Sequence, residues 1–392
     1  MEDSYSEVST ESWFSRISNS IKGILFGAGL FAIAFPVLFW NEGRAVDRYK
    51  TLQEGRGQVV SISSTDVDSV NNETLVHVQG RAETDEILED PVFGISQKAL
   101  KLRRIVEMYQ WHESVQRRSK RKIGGKKVTT KTYYYSKRWS KMLIPSANFK
   151  KPEMHQNPKR IPYQSITYTA KVIRLGNFVL SSSLAGKISS FCQLPVVDKH
   201  HLPQEIQRKT CIRQGKIYSC ENPLNPQVGD VRISFKVVRP LDISLVAEQV
   251  GNSFKTYRTS NGGAIELLQP GLYSAEEMFK QARRSNAIMT WVLRLVGFLS
   301  MLVGLVLIFR PLTILSDVLP ILGSIVGVGT GLVALLLATA LSLSVISIAW
   351  LFYRPLLAIF LIAAVAGIAI FTKKKLSAEQ GSKKKNLSSS PE

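Results

Sequence analysis

Cysteine is scarce in this chain. Cys192, Cys211 and Cys220 are the only three in 392 residues. So few thiols exclude a disulfide framework, and an odd count leaves at least one free or paired between chains. Cys211 and Cys220 are spaced to close a small loop if they face an oxidising compartment. His200 and His201 lie near Cys192 and Cys211 in sequence, but no C-x-x-C or H-x-x-x-H spacing accompanies them, so no metal is expected. G-x-S-x-G, P-loop and H-E-x-x-H patterns are also missing. The chain is therefore expected not to be an enzyme and to carry no cofactor. Acidic residues are few: 30 Asp and Glu stand against 51 Lys and Arg, a formal net charge of +21. That excess points to anionic partners or to a plainly solvated basic surface. Finally, the long apolar runs hold no Asp, Glu or Lys in their depth, and Arg294 lies near an end. An ion pathway or proton relay normally leaves such a mark.

Those runs organise the chain. An uncharged apolar stretch of about 18 or more residues is long enough to cross a bilayer as a helix. The expected fold is an α+β membrane protein: four transmembrane helices with a large β-rich extramembrane domain between spans 1 and 2. The boundaries read as a cytoplasmic N-terminal segment 1–20, span 1 at 21–40, a lumenal or periplasmic domain at 41–290 and span 2 at 291–309. A linker 310–322, span 3 at 323–352, span 4 at 355–371 and a basic cytoplasmic tail 372–392 follow. Arg310-Pro311 and Arg354-Pro355 mark the breaks, proline being suited to the first turn of a new helix. Gly23 and Gly27, then Gly323, Gly327 and Gly331, recur at four-residue spacing, as helix–helix contact faces do. Thr339, Ser342, Ser344 and Ser347 are expected to bond to their own helix carbonyls rather than to line a pore. Lys373-Lys374-Lys375 and Lys383-Lys384-Lys385 place the tail, and with four spans the N-terminus, on the cytoplasmic side.

The middle domain reads as strands. Residues 229–238 alternate, with Val231, Ile233, Phe235 and Val237 on one face. Runs at 74–78, 165–173, 178–182 and 243–250 are similarly β-rich, and 100–114 and 129–142 bracket a turn at Gly124-Gly125. Ser274-Ala-Glu-Glu277 is a capping box that starts a helix leading into span 2. Glu107 and Asp230 read as partners for nearby arginines. Asn41 to Arg44 and Arg284 to Asn286 flank the domain at its entry and exit and should lie close together, with Glu42 placed to pair with Arg284.

One segment is unusually basic. From Arg117 to Lys141 there is no acid, and Lys120, Arg121, Lys122, Lys126 and Lys127 are interleaved downstream by Tyr134 and Trp139. Such a mixture suits anionic lipid headgroups, an acidic partner or single-stranded nucleic acid. In a chain tethered to a membrane, lipid or protein is the expected partner, and no nucleic acid.

Several short motifs resemble the transmembrane protein 43 family, also called LUMA. They are Asn41-Glu-Gly-Arg-Ala45, Leu102-Arg-Arg104, Val106-Glu-Met-Tyr-Gln-Trp111, Glu221-Asn-Pro223, Val228-Gly-Asp230, Ser274-Ala-Glu-Glu277, Arg284-Ser-Asn286 and Trp350-Leu-Phe-Tyr-Arg-Pro355. Within them Glu42, Gly43, Arg44, Glu107, Tyr109, Trp111, Gly229, Asp230, Ser274, Glu277, Arg284, Arg354 and Pro355 are the candidate structural residues. The resemblance implies four spans with the domain in the lumen of the endoplasmic reticulum or nuclear envelope. It also implies a non-enzymatic scaffold that forms homo-oligomers and gathers membrane lipids and envelope proteins. In a bacterium the same chain would sit in the inner membrane. The alternative is a subunit of an oligomeric ion channel or transporter.

Overall fold

The computed structural model describes residues 3–199, 202–219, 222–355 and 359. The chain forms two compact units. The first takes Met1–Glu11, Thr51–Lys122 and Lys127–Arg283. The second takes Ser12–Lys50, Ile123–Lys126 and the chain from Arg284 onward.

The first unit is built on two sheets. One joins β1 (Asp3–Glu11), β3 (Lys101–Arg121), β4 (Lys127–Ser140) and β5 (Val231–Val238) in the order β1-β4-β3-β5, continuing through short strands at Lys216–Ser219 and Cys211–Arg213. The other is centred on β2 (Leu75–Glu83) and β6 (Leu241–Val250), which pair antiparallel from Leu75↔Glu248 to Ala82↔Leu241. Short strands at 174–175, 178–179 and 253–255 link β2 back to β6, so these five strands close a ring. Along β5 the alternation sends Val231, Ile233, Phe235 and Val237 inward and leaves Arg232 and Lys236 half-exposed. Val231, Ile233 and Phe235 join Val76, Val78, Leu102, Val106, Met108, Phe178, Ile243 and Leu245 in one core. The two glycines expected to turn the β3–β4 hairpin do so, at φ +80° and +72°, a region open to few residues other than glycine.

Two of the β-rich runs are strand only in part. Only Ile166–Thr169 of the run 165–173 is a strand. Residues 178–182 give a two-residue strand and then a helix, Ser182–Lys187, because Ser181 caps it by accepting from the Leu184 amide. A serine cap competes well with modest β propensity.

The N-terminal segment does not stand apart from the domain. Asp3–Glu11 forms β1 on the edge of β4, with Glu7 opposite Lys131 and Glu11 opposite Lys127. Alternation aligns these acids with the lysines of β4 on one face, so charge complementarity selects the register.

The second unit is a bundle of three helices: α1 (Trp13–Gln58), α2 (Ala275–Ser316) and α3 (Pro320–Tyr353), whose membrane-facing lengths lie in this unit. Each is long and apolar enough to cross a membrane. Span 1 is the centre of α1, which runs unbroken through Pro36. The expected linker 310–322 is mostly helix: α2 continues through Pro311 to Ser316, and only Asp317–Leu319 separate it from α3. A membrane helix tolerates the one donor that proline removes. Proline does open a helix nine residues after Pro311, where Pro320 starts α3. At Arg354 α3 ends as expected. Span 4 and the basic tail, apart from Pro355 and Ile359, lie outside the described residues.

Helices α1 and α2 run antiparallel and touch backbone to backbone. A Cβ on Gly27 would stand 2.8 Å from the Gly304 carbonyl oxygen, and one on Gly304 would stand 2.7 Å from that of Gly27. Ala34, Leu38, Met301, Leu305, Ala334 and Ala338 fill the bundle interior. Gly23 and Gly331 have no neighbour within 4 Å, so the four-residue repeat marks contact only in part. The hydroxyls of Thr339, Ser342 and Ser344 donate to the carbonyls of Leu335, Ala338 and Ala340, as expected.

Candidate functional site: polar clamps at the two ends of the helix bundle

At the C-terminal end of the span-1 region, α1 presents Asn41, Glu42, Gly43 and Arg44. Glu42 is fully buried, yet its carboxylate is saturated. Arg294 of α2 donates through Nε at 2.6 Å and Nη2 at 2.8 Å, and Trp350 of α3 donates through Nε1 at 2.9 Å. One carboxylate thus joins three helices. Bidentate arginine is the strongest partner available to it. The Arg294 guanidinium also lies over the Trp291 ring, 4.8 Å from its centre. Two residues along α1, Arg44 donates to Asn286 Oδ1 (3.0 Å), Thr290 Oγ1 (3.0 Å) and Asn41 Oδ1 (3.2 Å), and Asn286 Nδ2 returns a bond to the Ala45 carbonyl at 2.9 Å. Asn41 Nδ2 donates to the Thr290 carbonyl. Gly43 is bare because the Tyr353 ring occupies the space of a side chain: a Cβ would lie 2.6 Å from it.

The expected closeness of residues 41–44 to 284–286 is therefore found, through Arg44 and Asn286. The expected ion pair is not. Glu42 bonds Arg294, not Arg284. Because α1 and α2 are antiparallel, the level of Glu42 is reached about 15 Å further along α2 than Arg284, at about 1.5 Å per residue.

The other end of the bundle holds a second buried pair. Arg16 of α1 and Asp317, just beyond α2, are bonded and are 8% and 0% exposed. Arg16 Nη1 also donates to the Gly125 carbonyl at 2.6 Å, and Trp13 Nε1 donates to the Ile314 carbonyl at 2.9 Å. Sequence reading missed this pair, because Asp317 fell in the supposed linker and Arg16 in the supposed free segment. The signal was there: a lone acid and a lone base flanking uncharged runs. About 39 Å of helical rise separates Arg16 from Glu42, more than the roughly 30 Å of hydrocarbon in a bilayer.

In the first unit the motif residues form a knot rather than a cleft. Glu107 accepts from Arg232 Nε at 2.8 Å, Arg232 stacks over Trp139 at 4.6 Å, and Tyr109 packs against Trp139 at 5.2 Å. The amide of Tyr109 donates to the Asp230 carbonyl, and that of Gly229, at φ +101°, donates to the Tyr109 carbonyl. Asp230 does not serve an arginine: its carboxylate caps the Gln227 amide at 2.6 Å. Trp111 is edge-on to His155, with Lys137 over its ring. Ser274 and Glu277 make the expected reciprocal box that opens α2. Nearby, Ser61 Oγ bonds His77 Nδ1 while His77 Nε2 meets the Tyr273 carbonyl. Burial lowers the His77 pKa, against the opposing pull of that carbonyl.

The candidate basic contacts separate into two places. Lys120, Arg121, Lys122 and Lys126 are exposed at the end of the β3–β4 hairpin, and Lys127 pairs with Arg121 in the ladder. Trp139 is packed near the hairpin base beneath Arg232, and Tyr134 lies between Ser114 and Ser4. They do not make one face of alternating bases and rings. Cys192 and Cys211 are free thiols. Cys220, His200 and His201 lie outside the described residues, and among the described residues no group of three His, Cys, Asp or Glu is placed to hold a metal.

The family model "Transmembrane protein 43" matches residues 108–355. Transmembrane protein 43 of Rattus norvegicus is 36% identical over 361 residues, covering 89% of each chain. That of Homo sapiens is 36% identical over 370 residues, covering 91% of this chain and 90% of the relative. A transmembrane protein 43 homolog of Drosophila melanogaster is 31% identical over 357 residues, covering 89% and 94%. No solved structure matches this chain. With the family model over more than half its length and such relatives over most of it, this chain belongs to the transmembrane protein 43 family.

Proposed function

We propose that this protein is a non-enzymatic membrane scaffold of the endoplasmic reticulum and inner nuclear membrane. It would self-associate and gather membrane proteins and lipids. The observation that carries this reading is the Glu42 hub. The buried acid is spent on locking three helices together, through Arg294 and Trp350, and not on facing an aqueous path. A fixed bundle is what a platform needs, whereas a conduction route would expose such a charge. The hydroxyls of Thr339, Ser342 and Ser344 bond within their own helix, which also speaks against the channel reading. The test is the mass of the purified full chain in mild detergent, with identification of whatever co-purifies. Oligomers carrying membrane proteins are expected. A monomer without partners, or single-channel currents in a planar bilayer, would overturn the reading.

A further inference from the structure

The sequence holds two Asn-x-Ser/Thr triplets without proline in the middle, Asn72-Glu-Thr74 and Asn386-Leu-Ser388. Such a triplet is an acceptor for an N-linked glycan where its side-chain amide is exposed on the lumenal or outer side of a membrane. The second triplet lies in the basic tail, outside the described residues. The first lies within the first unit, in the turn that leads into β2.

The folded turn suits that chemistry. Asn72 is exposed, and so is Glu73 after it. The backbone of Asn72 closes the short helical turn Ser69–Asn71, and Glu73, at φ +61°, then redirects the chain into β2. The Glu73 amide and the Thr74 carbonyl are both bonded to the backbone of Gln249 in β6, which fixes the turn. The Asn72 side chain is held by the end that a glycan leaves alone. Its Oδ1 accepts from the Gly251 amide at 2.8 Å, while Nδ2 has no hydrogen-bond partner among the described residues. A glycan on Nδ2 turns a primary amide into a secondary one and keeps the carbonyl, so the Gly251 bond survives. Next to the triplet Val70 is 81% exposed, and Val250, beside Gly251, is 44% exposed. A bulky, solubilising glycan would cover two apolar side chains that the fold leaves bare.

We propose that Asn72 is an N-glycosylation site and that Asn386 is not. Nδ2 attacks the anomeric carbon of an oligosaccharide carried on a polyprenyl pyrophosphate. A carbon–nitrogen bond forms as that carbon's bond to the pyrophosphate oxygen breaks. The lipid pyrophosphate departs, and Nδ2 gives up one proton. The proposal rests on the endoplasmic-reticulum placement in the scaffold reading, with the domain in the lumen and the tail in the cytoplasm, but it does not depend on self-association.

The full chain would be expressed in animal cells and its mass read before and after treatment with a peptide N-glycosidase. The parent chain should lose the mass of one glycan. Mass spectrometry should find residue 72 converted to aspartate, the mark that the glycosidase leaves, and this reading needs no variant to fold. N72Q and T74A should migrate like the deglycosylated parent. T74S, which keeps a hydroxyl, and N386Q should keep the shift. Protease added to sealed microsomes reads separately whether the domain is enclosed. A protected domain with no glycan at residue 72 overturns this proposal alone. A domain digested from outside overturns the placement and this proposal with it. A shift lost in N386Q and kept in N72Q overturns the proposal by putting the tail in the lumen. Oligomer mass is read on the same preparation, and a glycosylated monomer fails the scaffold reading alone.

Discussion

At the Glu42 end of the bundle an acid is the hub, taking donors from two other helices. At the Arg16 end a base is the hub, shared between Asp317 and the backbone of the 123–126 turn. The first arrangement is side chain to side chain and surrounds the acid with three charge-assisted or indole donors. The second is partly satisfied by a carbonyl, which no substitution removes. The two ends therefore should not be equally sensitive, although both pairs are buried. A buried charge loses more when its partner is deleted than the intact pair contributes, since desolvation is then left uncompensated.

The largest expected effect comes from deleting one side of the Glu42 pair. Arg294→Met should cost about 3–5 kcal/mol, the usual range for stranding a buried charge. Thermal unfolding of the full chain in detergent would read it. Adding Glu42→Leu to Arg294→Met should recover much of the loss. If the double variant is no better than the single one, the pair is not the source of the effect.

Between the ends, the helix crossing offers a control that involves no charge. Gly304→Val forces branched carbons against the Gly27 backbone, and overpacking of this kind typically costs about 1–3 kcal/mol. The same scan should show a lower Tm. An unchanged one would mean that α1 and α2 are not in backbone contact.

A smaller loss is expected at the other end. Asp317→Asn keeps an acceptor for Arg16, which retains the Gly125 carbonyl as well. Loss of one charged partner from a still-bonded group should cost about 1–2 kcal/mol. If Asp317→Asn proves as damaging as Arg294→Met, the contrast between the ends disappears.

The mildest effect concerns pH and the first unit. Glu7 bonds Lys150 at 2.5 Å and accepts from Tyr133 at 3.0 Å, and these bonds hold its carboxyl below the ordinary value of 4.5. Lys150 is raised from 10.5 by the same contact. A depressed carboxyl stabilises the paired strand above its unfolded value, and that contribution fades as pH falls through the folded one. The lysine contribution fades at the opposite extreme, as pH rises past 10.5. Amide hydrogen exchange across residues 3–11 should therefore be slow at neutral pH, relative to intrinsic rates, and lose protection in acid. Glu7→Gln should show reduced protection at neutral pH and little further change on acidification. Equal acid sensitivity in both chains would assign the effect to another group.

How much of this was legible in the sequence follows from range. Patterns that repeat over a few residues were readable: the apolar lengths of α1 to α3, the alternation of Val231 to Val237, the Ser274–Glu277 box and the Gly124-Gly125 turn. Proximity of Arg44 and Asn286 was readable because both flank the same domain. Pairings that depend on helix register were not. Glu42 and Arg294 needed the antiparallel offset of α1 on α2, which no local pattern carries. Asp317 was hidden by reading Pro311 as a stop, although a proline within an apolar helix need not end it. The β1–β4 pairing joins residues on either side of a long apolar run, and reading such a run as a boundary hides any contact across it.

The Glu42 hub also sets an order of events during synthesis. Its arginine partner lies 252 residues later in the chain and its tryptophan partner 308. At about 5–20 residues per second, roughly ten to fifty seconds pass before Arg294 is made. Throughout that interval α1 is in the insertion machinery with its acid unpaired. The nascent chain must therefore keep this part of α1 near water or a holding factor until α2 arrives. A chain that stops before Arg294 carries a permanent flaw at the membrane boundary, which gives cellular surveillance a chemical mark by which to recognise incomplete copies.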